Sequence, residues 1–101
     1  MIDKQYLAIC AIFRDEAPFL DEWICFHQTQ GVEHFYLYDN LSNDNSNICL
    51  KPYIDKGLVT LIKWDIPFHH AAQSKAYQEC LDRNRSKIRW LAFIDIDEFL
   101  F

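Results

Sequence analysis

The chain has 101 residues, of which 50% are hydrophobic and 16% aromatic, and its formal charge is −5. This length and apolar content predict a single folded domain and exclude a disordered chain. Lysine and arginine are scattered singly, so the sequence lacks the basic patch that nucleic-acid binding requires.

The first predicted element is a strand over residues 6–13, YLAICAIF, because a continuous apolar run of this length is typical of a strand buried on both faces. A helix follows. Pro18 fits its first turn, Asp15 or Glu16 favours its positive end, and Gly31 fits its C-terminal cap. The apolar residues that recur at helical spacing are Phe19, Leu20, Trp23, Ile24 and Phe26.

The remaining elements continue the alternation of strands and helices. HFYLY, residues 34–38, predicts a second strand, and a polar loop leads to a helix over about residues 47–56 that ends before Gly57. We expect a third strand over 58–64, a loop over 65–70, a helix over about 71–85 and a fourth strand over 90–96. The order β-α-β-α-β-α-β predicts an α/β protein with a Rossmann-like parallel sheet between two helical layers.

The cysteines lie far apart and form no C-x-x-C pair: Cys10, Cys25, Cys49 and Cys80. We predict reduced, buried thiols rather than two disulfides, which favours a cytoplasmic protein. The apolar run near the N-terminus has no small-residue cleavage site and is too short to span a bilayer. We therefore expect no secretory signal and no membrane anchor.

Polar side chains follow each predicted strand. In an open parallel sheet, ligands bind outside the carboxyl ends of the strands, where strand order reverses. We expect these side chains to converge on one edge of the sheet: Arg14, Asp15 and Glu16 after the first strand; Asp39, Asn40, Ser42 and Asp44 after the second; Asp65 after the third; and Asp95, Asp97 and Glu98 after the fourth.

The sequence DIDE, residues 95–98, predicts a metal site. If the fourth strand continues this far, Asp95 and Asp97 point to the same side with Cα atoms about 6.5 to 7 Å apart. Two such carboxylates repel each other unless a cation lies near them, and Mg²⁺ or Mn²⁺ accepts one or two carboxylates together with phosphate oxygens. The structural alternative is that Asp97 and Glu98 only cap a following helix.

The loop DNLSNDN, which begins at Asp39, also has two interpretations. Its side chains are typical of turns and helix caps, but an acid at the end of the second strand is also well placed to bind a ribose hydroxyl or a base N–H. No G-x-G-x-x-G or P-loop sequence is present, which disfavours dinucleotide and P-loop chemistry. His69 and His70 lack the spacing of a zinc site. We expect His27 and His34 to be structural or exposed. The aromatic residues that we expect to build the core are Trp23, Phe26, Phe35, Trp64 and Trp90.

Three segments in order carry a resemblance to a known family: FRDEAPFLDEWICFH, GVEHFYLYDNLSND and WLAFIDIDEFL. Together they span most of the chain, which resembles the family 2-like and family 92-like glycosyltransferases of the GT-A fold. The resemblance implies an enzyme family that uses Mn²⁺ or Mg²⁺ and a nucleoside-diphosphate sugar, most often a UDP-sugar, to glycosylate a carbohydrate hydroxyl.

The resemblance also implies roles for single residues. Asp95 and Asp97 match the D-x-D pair whose ion holds the diphosphate, with Glu98 in support and Gln73 as a polar residue ahead of that strand. The residues implied to contact the nucleotide sugar are Asp15, Glu16, Asp39, Asn40, Ser42, Asp44 and Asp95. Family members often have Asn-Glu where this chain has Asp15-Glu16.

GT-A domains usually continue well beyond the D-x-D sequence, into a half that holds the acceptor site and, in inverting enzymes, the general base. We therefore expect a truncated, donor-binding half that is incomplete for catalysis, with no assignable general base. Its apolar C-terminal end would favour a homo-oligomer or a covering partner chain. The alternatives are an inactive module that acts as a partner-dependent interaction protein and another Mg²⁺-dependent nucleotide enzyme.

Overall fold

The computed structural model describes residues 5–67 and 70–98, with the exception of the His70 side chain. Four strands and three helices alternate along the chain, as the sequence predicts. In order they are β1 (Gln5–Phe13), α1 (Ala17–Thr29), β2 (His34–Asp39), α2 (Ser46–Asp55), β3 (Val59–Lys63), α3 (His70–Asn84), a single 3-10 turn (Arg85–Lys87) and β4 (Ile88–Phe93).

The four strands form one parallel sheet in the order β3-β2-β1-β4. The chain passes outward from β1 to β2 and β3, and then returns across the sheet to place β4 on the other side of β1. Strand order therefore reverses between β1 and β4, and this is the position where open α/β sheets bind their ligands.

Alternating side chains of the strands build a core on each face of the sheet. Ile9, Ala11 and Phe13 of β1 belong to the cluster that contains residues of α1 and α2, whereas Ala8 and Cys10 belong to the cluster that contains residues of α3. Two helices thus cover one face and the third covers the other. The predicted α/β fold, with helical layers on both faces of a parallel sheet, is confirmed.

The predicted proline and glycine signals of the helices are also confirmed, whereas α1 has no acid in its first turn and Glu16 makes no capping bond. Pro18 lies in the first turn of α1. Gly31 follows the last turn with φ of 101°, and Gly57 follows α2 with φ of 78°. Both values lie in the left-handed region that terminates helices and that glycine adopts without steric cost.

The predicted end of β4 is wrong. The strand ends at Phe93, and Asp95 to Glu98 form a turn closed by a 3.0 Å bond from the Glu98 N–H to the Asp95 carbonyl. Asp95 and Asp97 therefore do not share a face of a strand. Beyond the last ladder pair, Cys10 with Phe93, the apolar residues Ile94 and Ile96 are buried and belong to the core cluster that contains residues of α1.

Several predictions of burial are also wrong. Cys25 is exposed and Cys49 half-buried, whereas Cys10 and Cys80 are fully buried, and all four thiols are free. Trp90 is 64% exposed, and β4 is an edge strand of the described sheet.

On α1, Phe19 points to solvent and His27 takes the core position expected of an apolar residue. The His27 ring is tied to the Trp23 carbonyl at 2.9 Å. Burial lowers the pKa of His27, against the opposing effect of that bond.

Within residues 5–67 and 70–98, no helix is both long and apolar enough to cross a membrane. His69 and the apolar residues 99–101 lie outside the described part of the chain. The structure therefore does not test the predictions that concern them.

Candidate functional site

A cavity of about 520 Å³ opens at the carboxyl ends of β1 and β4, the position where strand order reverses. Four carboxylates, one guanidinium and two side-chain amides are part of its wall. The lining residues are Ile12, Phe13, Arg14, Asp15, Glu16, Asn40, Gln73, Asp95, Ile96 and Asp97.

The segment after β1 is fixed to the loop after β2. The Asp15 N–H donates to Ser42 Oγ at 2.9 Å, and Asp15 Oδ1 accepts from the Asn43 N–H at 2.6 Å. Asp15 has φ of 54° and Leu41, in the facing loop, has φ of 62°. Left-handed backbone at residues other than glycine is uncommon, and here it occurs in the two loops that meet beside the cavity.

Asp44 caps two helices at once. Its Oδ2 accepts from the N–H of Ala17, the first residue of α1, and its Oδ1 accepts from the N–H and the hydroxyl of Ser46, the first residue of α2. Burial opposes ionisation of this carboxyl, but the hydrogen bonds from Ser46 and Ala17 outweigh it and lower its pKa. An ionised carboxylate between two helix N-termini is electrostatically favourable.

Asn40 differs from its neighbour Asp39 in the hydrogen bonds of its side chain, and this difference matters for binding. Its Nδ2 donates to the carbonyls of Trp64 and Ile66 at 3.0 and 2.6 Å, which fixes the orientation of the amide. Its Oδ1 is buried without a hydrogen-bond partner in the described part of the chain. Asn40 is 1% exposed and is one of the residues that line the cavity, so this Oδ1 is a candidate acceptor for a ligand that carries an N–H or O–H group.

The turn after β4, residues 95–98, is held from inside the protein. The indole N–H of Trp23, a fully buried residue of α1, donates to the carbonyls of Asp95 and Glu98 at 3.1 and 3.0 Å. Glu98 Oε1 accepts from the Asp95 N–H at 2.8 Å, and Gln73 Nε2 lies 3.5 Å from Asp95 Oδ1. These contacts fix the backbone of the turn and leave the Asp97 carboxylate on the cavity wall.

The carboxylates of the cavity repel one another. Burial, and then the negative charge of Asp97, Asp44, Asp15 and Asp95, raises the pKa of Glu16 above its usual value. Burial, Glu98 and Asp97 raise the pKa of Asp95 in the same way. Within the described residues, no three His, Cys, Asp or Glu side chains are already arranged to hold a metal ion. A cation that entered the cavity would relieve this repulsion.

Comparison with known proteins shows the family of the chain. The family model described as glycosyltransferase family 92 matches residues 5–101. The chain belongs to glycosyltransferase family 92. It is 34% identical over 97 residues to a family 92 protein of Ricinus communis, an alignment that covers 92% of this chain.

Two relatives carry more specific names. The chain is 30% identical over 105 residues to a beta-1,4-galactosyltransferase of Caenorhabditis elegans and 32% identical over 90 residues to a galactan beta-1,4-galactosyltransferase of Arabidopsis thaliana, with 95% and 79% of this chain covered. The alignments span 16% of the Ricinus protein, 25% of the Caenorhabditis protein and 17% of the Arabidopsis protein. No solved structure matches the chain.

The cavity of this family 92 chain brings together some of the predicted site residues and not others. Asp15, Glu16, Asn40, Asp95 and Asp97 line it, and so does Gln73. Residues outside the lining have structural partners or lie apart. Asp39 accepts the N–H of Ser42 in its own loop, and Ser42 accepts the N–H of Asp15 in the facing loop. Asp44 caps helices, Glu98 closes its turn, and Asp65 is exposed. Contact of Asp39, Ser42 and Asp44 with a nucleotide remains a prediction.

Two residues of the site were not assigned a role from the sequence. Arg14 lines the cavity, and the available signal was its position directly before the acids that end β1. Trp23 holds the turn after β4 from a distance of 72 residues along the chain. Helical spacing predicted that Trp23 is buried, but no local pattern indicates where its N–H points.

Proposed function

We propose that this chain binds the donor substrate of a metal-dependent glycosyltransferase, a nucleoside-diphosphate sugar whose sugar is transferred to a carbohydrate hydroxyl. The observation that carries the proposal is the polar cavity at the strand-order reversal in a chain that belongs to family 92. The aligned part is a quarter or less of each relative, so the proposal for these residues is limited to donor binding.

The residues present are suited to a divalent cation. Asp95 and Asp97 offer hard oxygen ligands on the cavity wall, with Glu16 nearby, and burial together with the neighbouring negative charges raises the pKa of Glu16 and of Asp95. Mg²⁺ and Mn²⁺ commonly use one or two protein carboxylates and complete their coordination with phosphate oxygens and water. A ready-made set of three protein ligands is therefore not needed. Bound there, the ion would neutralise negative charge on the departing diphosphate.

The chain's own side chains would position the donor. Gln73 and Glu98 restrain Asp95, the first through its carboxylate and the second through its N–H. The unpartnered Oδ1 of Asn40 would accept a hydrogen bond from the nucleoside. Asp39 and Ser42 would act through the loop that they hold together, which fixes the segment carrying Asp15.

The names of two relatives favour one donor. Both are described as beta-1,4-galactosyltransferases, one of them acting on galactan. We therefore propose UDP-galactose as the first sugar nucleotide to test, with a galactose-containing polysaccharide as the acceptor class of the complete transfer reaction.

Thermal unfolding of the purified chain tests donor binding. Mn²⁺ and UDP-galactose together, at about 100 times the dissociation constant, should stabilise the fold by about 2.7 kcal/mol, a rise in melting temperature of roughly 10 °C. Asp97→Asn should abolish the part of the rise that requires Mn²⁺. Asp65→Asn is the matched control, because Asp65 follows β3 but does not line the cavity.

Two results would contradict the proposal. One is a melting temperature that no UDP-, GDP- or ADP-sugar raises in the presence of Mn²⁺ or Mg²⁺. The other is that Asp65→Asn and Asp97→Asn lose the Mn²⁺-dependent rise in melting temperature to the same extent, because that would place the metal outside the cavity.

A further inference from the structure

Among the described residues that line the cavity, Arg14 is the one cationic side chain, and it accompanies four carboxylates. It directly follows Phe13, the last residue of β1, and its side chain is exposed. The metal and nucleoside contacts of the proposed donor site do not involve Arg14.

The guanidinium of Arg14 forms no ion pair or hydrogen bond with another described residue, although Asp15, Glu16, Asp95 and Asp97 share the same cavity wall. Arg83 and Arg85, by contrast, both pair with acids of α3, Glu79 and Asp82. Arginine has a strong preference for planar, two-point contact with carboxylates and phosphates. A free guanidinium beside several acids is therefore available to a ligand.

The backbone on both sides of Arg14 is fixed. The Phe13 carbonyl accepts from the Asn40 N–H at 2.8 Å, and the Asp15 N–H donates to Ser42 Oγ at 2.9 Å. The side chain thus projects from a rigid support while its own charged end is free. Pre-organisation of this kind reduces the entropy that a binding residue loses when its ligand arrives.

We propose that Arg14 binds the diphosphate of the donor nucleotide through its guanidinium. The inference rests on the proposed function, since it names a further binding residue of that site. A diphosphate that enters this cavity meets four carboxylates, and a metal ion at Asp95 and Asp97 offsets only part of that repulsion. Arg14 supplies a second positive charge on the β1 side of the cavity, and this charge does not depend on the metal.

Asn40 supports the inference independently. Its buried Oδ1 has no hydrogen-bond partner among the described residues, and Arg14 offers donors for which the described residues supply no acceptor. The two residues are linked through Phe13, whose carbonyl binds the Asn40 N–H. A nucleotide has both complements, an N–H or O–H group in the nucleoside and oxygen acceptors in the phosphates.

Calorimetric titration of the full chain with UDP, UMP and uridine in Mn²⁺ separates phosphate binding from nucleoside binding. Arg14→Gln should weaken UDP binding about tenfold and leave uridine binding within twofold of the wild type, because it removes charge-assisted bonds to phosphate alone. Arg14→Lys keeps the positive charge but not the planar guanidinium. Its affinity for UDP should therefore fall between those of the wild type and Arg14→Gln. With EDTA in place of Mn²⁺, the wild type should retain weak UDP binding that Arg14→Gln lacks.

Arg89→Gln is the control, since Arg89 is an exposed arginine of β4 outside the cavity lining, and it should bind UDP as the wild type does. UDP binding by Arg14→Gln within twofold of the wild type would overturn the role of Arg14. An equal loss of affinity for UDP and for uridine in Arg14→Gln would also overturn this role, because Arg14 would then act on the nucleoside. A wild-type chain that binds none of the three ligands would instead overturn the proposed function itself.

Discussion

The side chain of Asn40 has two separate tasks at its two polar atoms. Two backbone carbonyls surround Nδ2, so a flip of the amide would place an oxygen against two oxygens, and only one orientation is favourable. The acceptor left over is buried and lines the cavity. The sequence indicated a binding role for this loop, but it could not distinguish Asn40 from Asp39, because the distinction depends on partners in the segment after β3.

Replacing Asn40 with Ala should lower stability and donor binding together. Loss of the bonds to Trp64 and Ile66 leaves two carbonyls without a donor and should reduce the free energy of unfolding by about 2 kcal/mol. Urea denaturation measures this change. Asn43→Ala in the same loop should stay within about 0.5 kcal/mol, because only the backbone N–H of Asn43 is hydrogen-bonded. A large effect of both substitutions would show that the loop is generally intolerant and that Asn40 has no special role.

At the scale of the element, the end of β4 was the feature that the sequence predicted least well. An apolar run such as WLAFI is equally compatible with a strand of five residues and with a shorter strand followed by buried turn residues. The structure has the second arrangement, because the indole of Trp23 captures the Asp95 and Glu98 carbonyls and turns the chain away from the sheet. The acidic residues were located correctly at the strand end, but their relative orientation was not.

Trp23→Phe should loosen this turn while most of the apolar packing is kept. The variant leaves the Asp95 and Glu98 carbonyls without their indole donor, so we expect a loss of roughly 1–2 kcal/mol in stability and weaker Mn²⁺ binding. Trp64→Phe is matched to it, since that indole donates to the Ala72 carbonyl and does not contact the turn. Titration of both variants with Mn²⁺, followed by thermal unfolding, should show a selective defect in Trp23→Phe. An equal defect in Trp64→Phe would contradict the role of the indole.

At the scale of the whole molecule, the alternation of apolar strands and helices was sufficient to predict the layers, the parallel sheet and the edge on which the acids converge. Convergence could be predicted because parallel strands place all their carboxyl ends on one side. Hydrogen bonds between distant loops could not be predicted in the same way. Asp44 caps α1 from the loop before α2, and periodicity carries no signal for such a contact.

The crowded acids should make the stability of the unliganded chain depend on pH. The pKa values of Glu16 and Asp95 are raised in the folded state, so their contribution to stability is present at low pH and is lost as pH rises through these raised values. Glu16→Gln removes one of the repelling charges. It should raise the melting temperature by about 2 °C at pH 7 and have no electrostatic effect at pH 3, where the carboxyl groups are largely protonated.

Glu22→Gln is the control, because Glu22 is an exposed acid of α1 outside the cavity lining. The change in melting temperature that it causes should depend much less on pH. Saturating Mn²⁺ should reduce the advantage of Glu16→Gln, because the cation relieves the same repulsion in the wild type. If Glu16→Gln raised the melting temperature as much at pH 3 as at pH 7, the substitution would act through packing rather than charge.

Helix α1 contacts both sides of the site within a short distance. Its first N–H is bound by Asp44, and the indole of Trp23, six positions later, holds the turn of Asp95 and Glu98. Six residues of helix span about 9 Å, and each residue added or removed rotates everything beyond it by about 100° around the axis. An insertion or deletion between Ala17 and Trp23 would therefore separate the two loops even if the helix itself remained intact. In this protein the length of that segment is as strictly constrained as the identity of the residues that line the cavity.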